Sequence, residues 1–166
     1  MSAKTKVIDK GAQYARKMIR EMKRGPYVKV GFPRESSENK KRYKFGSTVL
    51  DLAIIHEFGG PKTIERSFMR AAFKSNLAKY KNKNKTQLNR LVKKRTSLKQ
   101  VLMFFGLIMV NDIKNFIAKR KVKPVSKRAE KQGGATLWDT GQLINSLAFS
   151  YFMNRKISFG GKVSKS

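Results

Sequence analysis

The residues best suited to chemistry sit together in "HEFGGPKTIERSF", His56 to Phe68. A histidine beside a carboxylate is a pair that acid–base catalysis uses, and on a helix it opens the zinc-protease pattern H-E-x-x-H. Here Phe58, Gly59 and Gly60 follow Glu57, so the second zinc-binding histidine is missing, and His56 is the one histidine in the chain. Asp51, Glu57 and Glu65 form the only local group of acids. Asp51 and Glu57 are six residues apart, a spacing that does not place both on one helical face, so they do not converge as a two-metal nuclease requires. The absence of cysteine excludes disulfides, thiolate metal sites and thiol nucleophiles. "GG" occurs three times, each without the lysine-bearing loop or dinucleotide spacing of a phosphate cradle. The expectation is a protein that is not an enzyme, with no catalytic residue, no metal site and no cofactor.

Without catalysis, "FGGP" reads as the end of a helix. Gly59 can take the left-handed backbone that closes one, and Pro61 cannot continue it. His56 then lies near the last carbonyls, where an imidazolium is favoured by the helix dipole. Glu57 is either a solvated carboxylate or a partner for a base such as Arg66 after the turn.

Charge carries the next inference. The 39 Lys and Arg against 10 Asp and Glu leave +29 on 166 residues, and this much like charge calls for a polyanionic neighbour, nucleic acid first. Residues 74 to 100 hold ten of the bases and no acid. Lys81, Lys83, Lys85, Arg90, Lys93, Lys94 and Arg95 are the candidate contacts to DNA or to an acidic protein, with Lys119 to Lys131 as a second group. Lysine outnumbers arginine in the first run, which favours diffuse contact with phosphate over reading of bases. No zinc finger, RNA-recognition motif or helix-turn-helix reader is present. A free, sequence-nonspecific nucleic-acid-binding monomer is therefore one functional reading.

The elements that hold these residues follow from periodicity. Val7, Ile8, Ala12, Ala15, Met18, Ile19 and Met22 recur at helical spacing, so residues 1–24 form an N-terminal helix stopped by Gly25 and Pro26. Val28, Val30 and Phe32 alternate as a strand, and 34–46 is a polar, flexible loop. Thr48 and Asp51 cap a short helix that ends at Phe58. The next helix starts near Thr63 and presents Phe68, Ala72, Phe73, Leu77 and Tyr80.

A long helical segment, basic on one face, follows. Leu88, Leu91, Leu98, Leu102, Phe105 and Met109 form its apolar stripe, and a capping box of Ser97 with Gln100 marks a break or weak point near Thr96. "VLMFFGLIMV" within it is about half a bilayer span and reads as a buried helix, so no membrane partner is expected. The N-terminus has charges every few residues and no signal-peptide core, so export is not expected. Residues 121–136 form a flexible arm. Asp139 or Thr140 caps a turn of helix at Gln142 to Asn145, and two strands, Leu147 to Phe152 and Lys156 to Val163, meet near Asn154. These elements predict one α+β domain over 1–166, with an antiparallel sheet of three or more strands packed against several helices.

Two segments in order, with the basic helical stretch between them, resemble a known family. "AIIHEFGGPKTIERSFMRAAF" is similar to the E-F-G, then R-x-F and helix, of the tail-completion or minor tail proteins of long-tailed bacteriophages, including the virion morphogenesis proteins of Mu-like phages. "LWDTGQLINSLAFSYF" resembles the acid-Thr-Gly-x-Leu turn and final strands of the same family. The likeness spans roughly Val28 to Val163. It departs from the family in lacking prolines around Arg66, where P-x-R-P-F is frequent, and in its higher charge.

The resemblance implies a non-catalytic virion protein of the neck or tail, assembled in the host cytoplasm. It implies a homo-oligomeric ring, expected to be sixfold, at the head–tail joint, with DNA passing through it and with tail and connector proteins as neighbours. Glu57, Phe58 and Gly59 would build the turn after the short helix, and Arg66 and Phe68 would anchor the next helix. Asp139, Thr140, Gly141 and Leu143 would set the start of the strand pair.

Overall fold

The computed structural model describes residues 10–33, 46–61, 63–119, 141–153 and 156–160. Nearly all of the expected loop 34–46, the arm 121–136, and Asp139, Thr140 and Asn154 lie outside the described residues. The described elements are α1 (Lys10–Lys23), β1 (Tyr27–Gly31), α2 (Val49–Phe58), α3 (Phe68–Ser75), α4 (Leu77–Val92), α5 (Leu98–Ala118), α6 (Gln142–Asn145), β2 (Ala148–Met153) and β3 (Lys156–Gly160). The architecture is α+β, with helices over an antiparallel sheet.

In that sheet β1 and β2 run antiparallel with Val28 opposite Tyr151 and Val30 opposite Phe149. The alternation read from the sequence turns Val28, Val30 and Phe32 towards the core. On the other face Tyr27 stacks on Phe152 at 4.8 Å between ring centroids, and the Lys29 ammonium lies over both rings. The backbone of β3 pairs with the far side of β2, Ser158 opposite Tyr151.

α5 lies across the core face of β1 and β2 and also packs on α3. The apolar stripe predicted for it was displaced: Val101, Gly106, Val110, Ile113 and Ile117 are buried, while Leu102, Phe105 and Met109 are only partly covered. A helix apolar around most of its girth shows no single face to periodicity, so tertiary packing chooses one. By length and composition α5 could cross a membrane. In this fold its covered side meets strands and α3, and it buries a carboxylate, Asp112, whose Oδ1 accepts from Lys79 Nζ at 2.6 Å.

Gly106 sets the distance between α5 and the sheet. A β-carbon there would stand 2.5 Å from the Phe149 ring and 3.0 Å from Val28. Gly106→Ala should therefore destabilise the fold by about 2 kcal/mol despite alanine's better helix propensity, because overpacking outweighs that gain. The urea midpoint of the variant checks it.

The remaining core joins distant segments. Val49 and Ala53 of α2, Phe68 and Ala72 of α3, Val110 and Ile113 of α5, Leu143 and Ile144 of α6, and Phe149 of β2 form one cluster. Phe68 is fully buried with its ring edge-on to Phe32 at 6.3 Å.

Candidate functional site

α2 begins as its sequence predicts. Thr48 N donates to Asp51 Oδ2 at 2.8 Å and Asp51 N donates to Thr48 Oγ1 at 3.2 Å, a complete capping box. Its far end differs from expectation in two ways. Gly59 has φ 81° but ψ 176°, an extended conformation of positive φ open almost only to glycine, rather than the left-handed helical cap. The next helix starts at Phe68, not near Thr63. Gly60 and Thr63 close a small bridge through reciprocal backbone bonds, and Arg66 N donates to His56 O at 2.7 Å, so the segment before Phe68 folds back onto α2.

Glu57 explains where α3 starts. It is buried, and its carboxylate accepts from Met69 N at 2.9 Å and Arg70 N at 3.1 Å, two amides of α3's first turn that have no partner within the helix. Ser67, the residue at the cap position, makes no side-chain cap bond. A carboxylate from the preceding helix does that work and also faces the positive end of the α3 dipole.

Of the two readings of Glu57, a solvated carboxylate or a partner for a base such as Arg66, the structure has it buried and paired, and its base is Arg70. Arg70 Nε donates to Glu57 Oε1 at 3.0 Å, and its Nη2 donates to the Glu57 carbonyl at 2.7 Å and to Glu65 Oε1 at 2.6 Å. The guanidinium carbon lies 5.1 Å from the Phe58 ring centroid. Arg70 sits at the third position of α3, where a side chain folds back onto a group capping that helix. That position was legible only once the helix start was known.

Arg66 is buried instead beside the imidazole. Its Nη1 lies 3.3 Å from His56 Nδ1. A guanidinium only donates, so Nδ1 is the acceptor and the ring proton resides on Nε2. Burial first, and the Arg66 charge second, push the His56 pKa from 6.5 down to about 4. His56 is thus neutral at pH 7, so the helix-dipole interaction open to a protonated ring does not operate there. Between about 4 and 6.5 the unfolded chain binds the proton and the folded chain does not, so this group makes stability fall as pH drops through that window and no further below it. Titration of the ring by proton NMR should give a midpoint near 4, and His56→Gln should flatten the stability profile between pH 6.5 and 4.

The second motif reaches the same core from the end of the chain. α6 is preceded by Gly141, left-handed at φ 65°, and among the described residues no side chain caps it. Leu143 and Ile144 insert beside Val49 and Ala53, so α2 and α6 pack together although some 80 residues separate them. Of the motif residues, Glu57, Arg66, Phe68 and Leu143 are buried, Gly59 and Gly141 carry the positive-φ turns, and Phe58 is 65% exposed.

The basic candidates Lys81, Lys83, Lys85, Arg90, Lys93, Lys94 and Arg95 are all exposed. They do not share one face. α4 buries only Tyr80, Gln87 and Leu91. At about 100° per residue, Lys83 and Arg90 fall on one side of that stripe and Lys81 with Lys85 on the other. Lys79 of the same helix, not a candidate, has an internal partner, Asp112. Tyr80 beside it has its pKa raised, by burial first and by the Asp112 charge second.

Among the described residues no group of three or more His, Asp or Glu stands close enough to hold a metal ion. The fold and these clusters define an α+β protein with a hydrogen-bonded hub between α2 and α3 and a strongly basic exterior. Comparison with known protein families, with curated proteins and with solved structures found no match.

Proposed function

We propose that the chain is a non-catalytic structural protein of a tailed-bacteriophage virion, a neck or tail-completion subunit that forms a ring at the head–tail joint. The observation that carries this reading is the meeting of the two motif segments. E-F-G supplies the carboxylate that starts the R-x-F helix, and Leu143 of the second segment, with Ile144, shares a core cluster with the helix bearing E-F-G. Both segments therefore have a physical reason to occur together. A sheet of three or more strands, with β3 at one side, belongs to the same reading, as does a sixfold ring contacting tail and connector proteins.

Exposed apolar residues support a subunit built for contact. Phe58, Ile64 and Ile54 near the E-F-G turn, and Leu88 and Val92 on α4, are each at least 44% exposed. The charge supports DNA in the lumen or acidic surfaces on adjoining rings, both without base reading. The test is reconstitution: purified chain added to connectors and tails prepared without it should join them into particles that eject DNA. Failure of the chain to bind either component would remove the proposal. The second reading, a free nonspecific nucleic-acid-binding protein, is favoured by the net charge of +29 alone. It predicts a monomer that coats DNA.

A further inference from the structure

We infer that the groove between α1 and the α4–α5 turn is a binding site for successive phosphates of a nucleic-acid backbone. Two adjoining depressions of about 330 and 540 Å3 share Tyr14, Lys17 and Lys94 as walls. Arg16 and Arg20 of α1 and Arg95 of the turn complete the cationic lining, against one carboxylate, Glu21. Among the described residues none of these five cations forms an ion pair. The other four described carboxylates are engaged elsewhere: Asp51 in its capping box, Glu57 and Glu65 on Arg70, Asp112 on Lys79. Among the described residues the groove thus sets five cations against Glu21 alone, a concave surface of net positive charge, and concavity focuses such a field on a small anion.

The backbone places one of these cations at a cost. α4 ends in a paired closure, with Lys94 N donating to Leu91 O and Arg95 N to Arg90 O, and its left-handed position, where glycine is usual, holds Lys94 at φ 58°. From there the ammonium lies 4.9 Å from the Tyr14 ring centroid, while the Tyr14 hydroxyl donates to Leu91 O at 2.8 Å and pins α1 to the turn. Arg16 and Arg20 stand one turn apart, about 6 Å along α1, and present two guanidinium forks in a row. Such forks match phosphate oxygens in pairs. A recessed row of this kind suits a polymer of phosphates better than the broad surface of a folded acidic protein.

The inference deepens the nucleic-acid side of the proposed function and rests on that contact, not on ring formation. Lys94→Gly provides a test that does not endanger folding, since glycine relieves the left-handed backbone while removing the charge. The full chain, this variant and Arg16→Ala/Arg20→Ala are titrated with a short duplex of mixed sequence over a salt series. Lys94→Gly should be at least as heat-stable as the parent, bind on the order of fivefold more weakly at low salt, and show a log K against log salt slope shallower by about 0.9; the double variant should lose about twice that slope. Unchanged affinity and slope in both variants would overturn the site. Equal losses of binding to poly-glutamate and to DNA would also overturn it, in favour of an acidic protein ligand. Native mass on the same samples separates the two proposals: a monomer whose variants lose DNA leaves the groove and removes the ring, and a ring whose variants bind DNA unchanged does the reverse.

Discussion

Phe68→Ala should lower the stability of the fold by about 4 kcal/mol, the largest loss expected from any single truncation considered for this chain. Phe68 has no exposed surface and lies in the cluster that joins α2, α3, α5 and α6 to the sheet. Its removal loses the transfer free energy of a ring and leaves a cavity that helices from several directions cannot close together. Urea unfolding followed by far-UV circular dichroism measures the loss. Phe68→Leu refills most of the volume and should cost less than half as much. An alanine variant within about 1 kcal/mol of the parent would show that Phe68 does not seat α3, since small losses mark sites that can collapse.

Glu57→Ala should cost about 3 kcal/mol, because two first-turn amides of α3 lose their acceptor in a buried place. The ion pair with Arg70 contributes less. The Arg70 side chain is 55% exposed, so water already screens it. Arg70→Ala should therefore cost about 1 kcal/mol or less, and Glu65→Gln a few tenths, Glu65 being 52% exposed on its side chain. Glu57→Gln keeps one good acceptor and should fall between the extremes. Equal losses for Glu57→Ala and Arg70→Ala would assign the stabilisation to the salt bridge and not to the cap. Hydrogen exchange at Met69 and Arg70 gives a local readout, with protection lost at these two amides first in Glu57→Ala.

How legible these features were in the sequence depended on how local their causes are. The capping boxes of Thr48 with Asp51 and Ser97 with Gln100 are set by side chains three residues from the amides they serve, and both stand as predicted. The strand pattern of Val28, Val30 and Phe32 needs only one buried face, which alternation reveals. The hub was not legible in this way. Glu57 acts on amides 12 and 13 residues ahead, across a turn whose path depends on Gly59, on the Gly60–Thr63 bridge and on Arg66 N reaching His56 O. Helical periodicity placed the start near Thr63, yet the helix begins at Phe68 and Ile64 is 64% exposed.

The same limit governed charge. Composition gave the net charge but could not pair bases with acids, and the ion pair Lys79 with Asp112 spans 33 residues. Nor could periodicity foresee that Arg16, Lys17 and Arg20 would line a groove with Lys94 and Arg95, because that depends on the Tyr14 hydroxyl reaching a carbonyl 77 residues away. The role of Gly106 was likewise hidden, because its reason is the Phe149 ring that packs against it from the sheet.

The proposed function is a structural subunit held in a ring by protein contacts, with electrostatic contact to DNA. The most direct measurement is the native mass of the assembly, alone and with short duplex DNA, from low salt to about physiological strength. The expected result is a discrete multimer that keeps its mass across the series while bound DNA falls away as salt rises. A monomer at every salt, loading many copies onto each duplex and remaining monomeric when purified connector or tail is added, would contradict it.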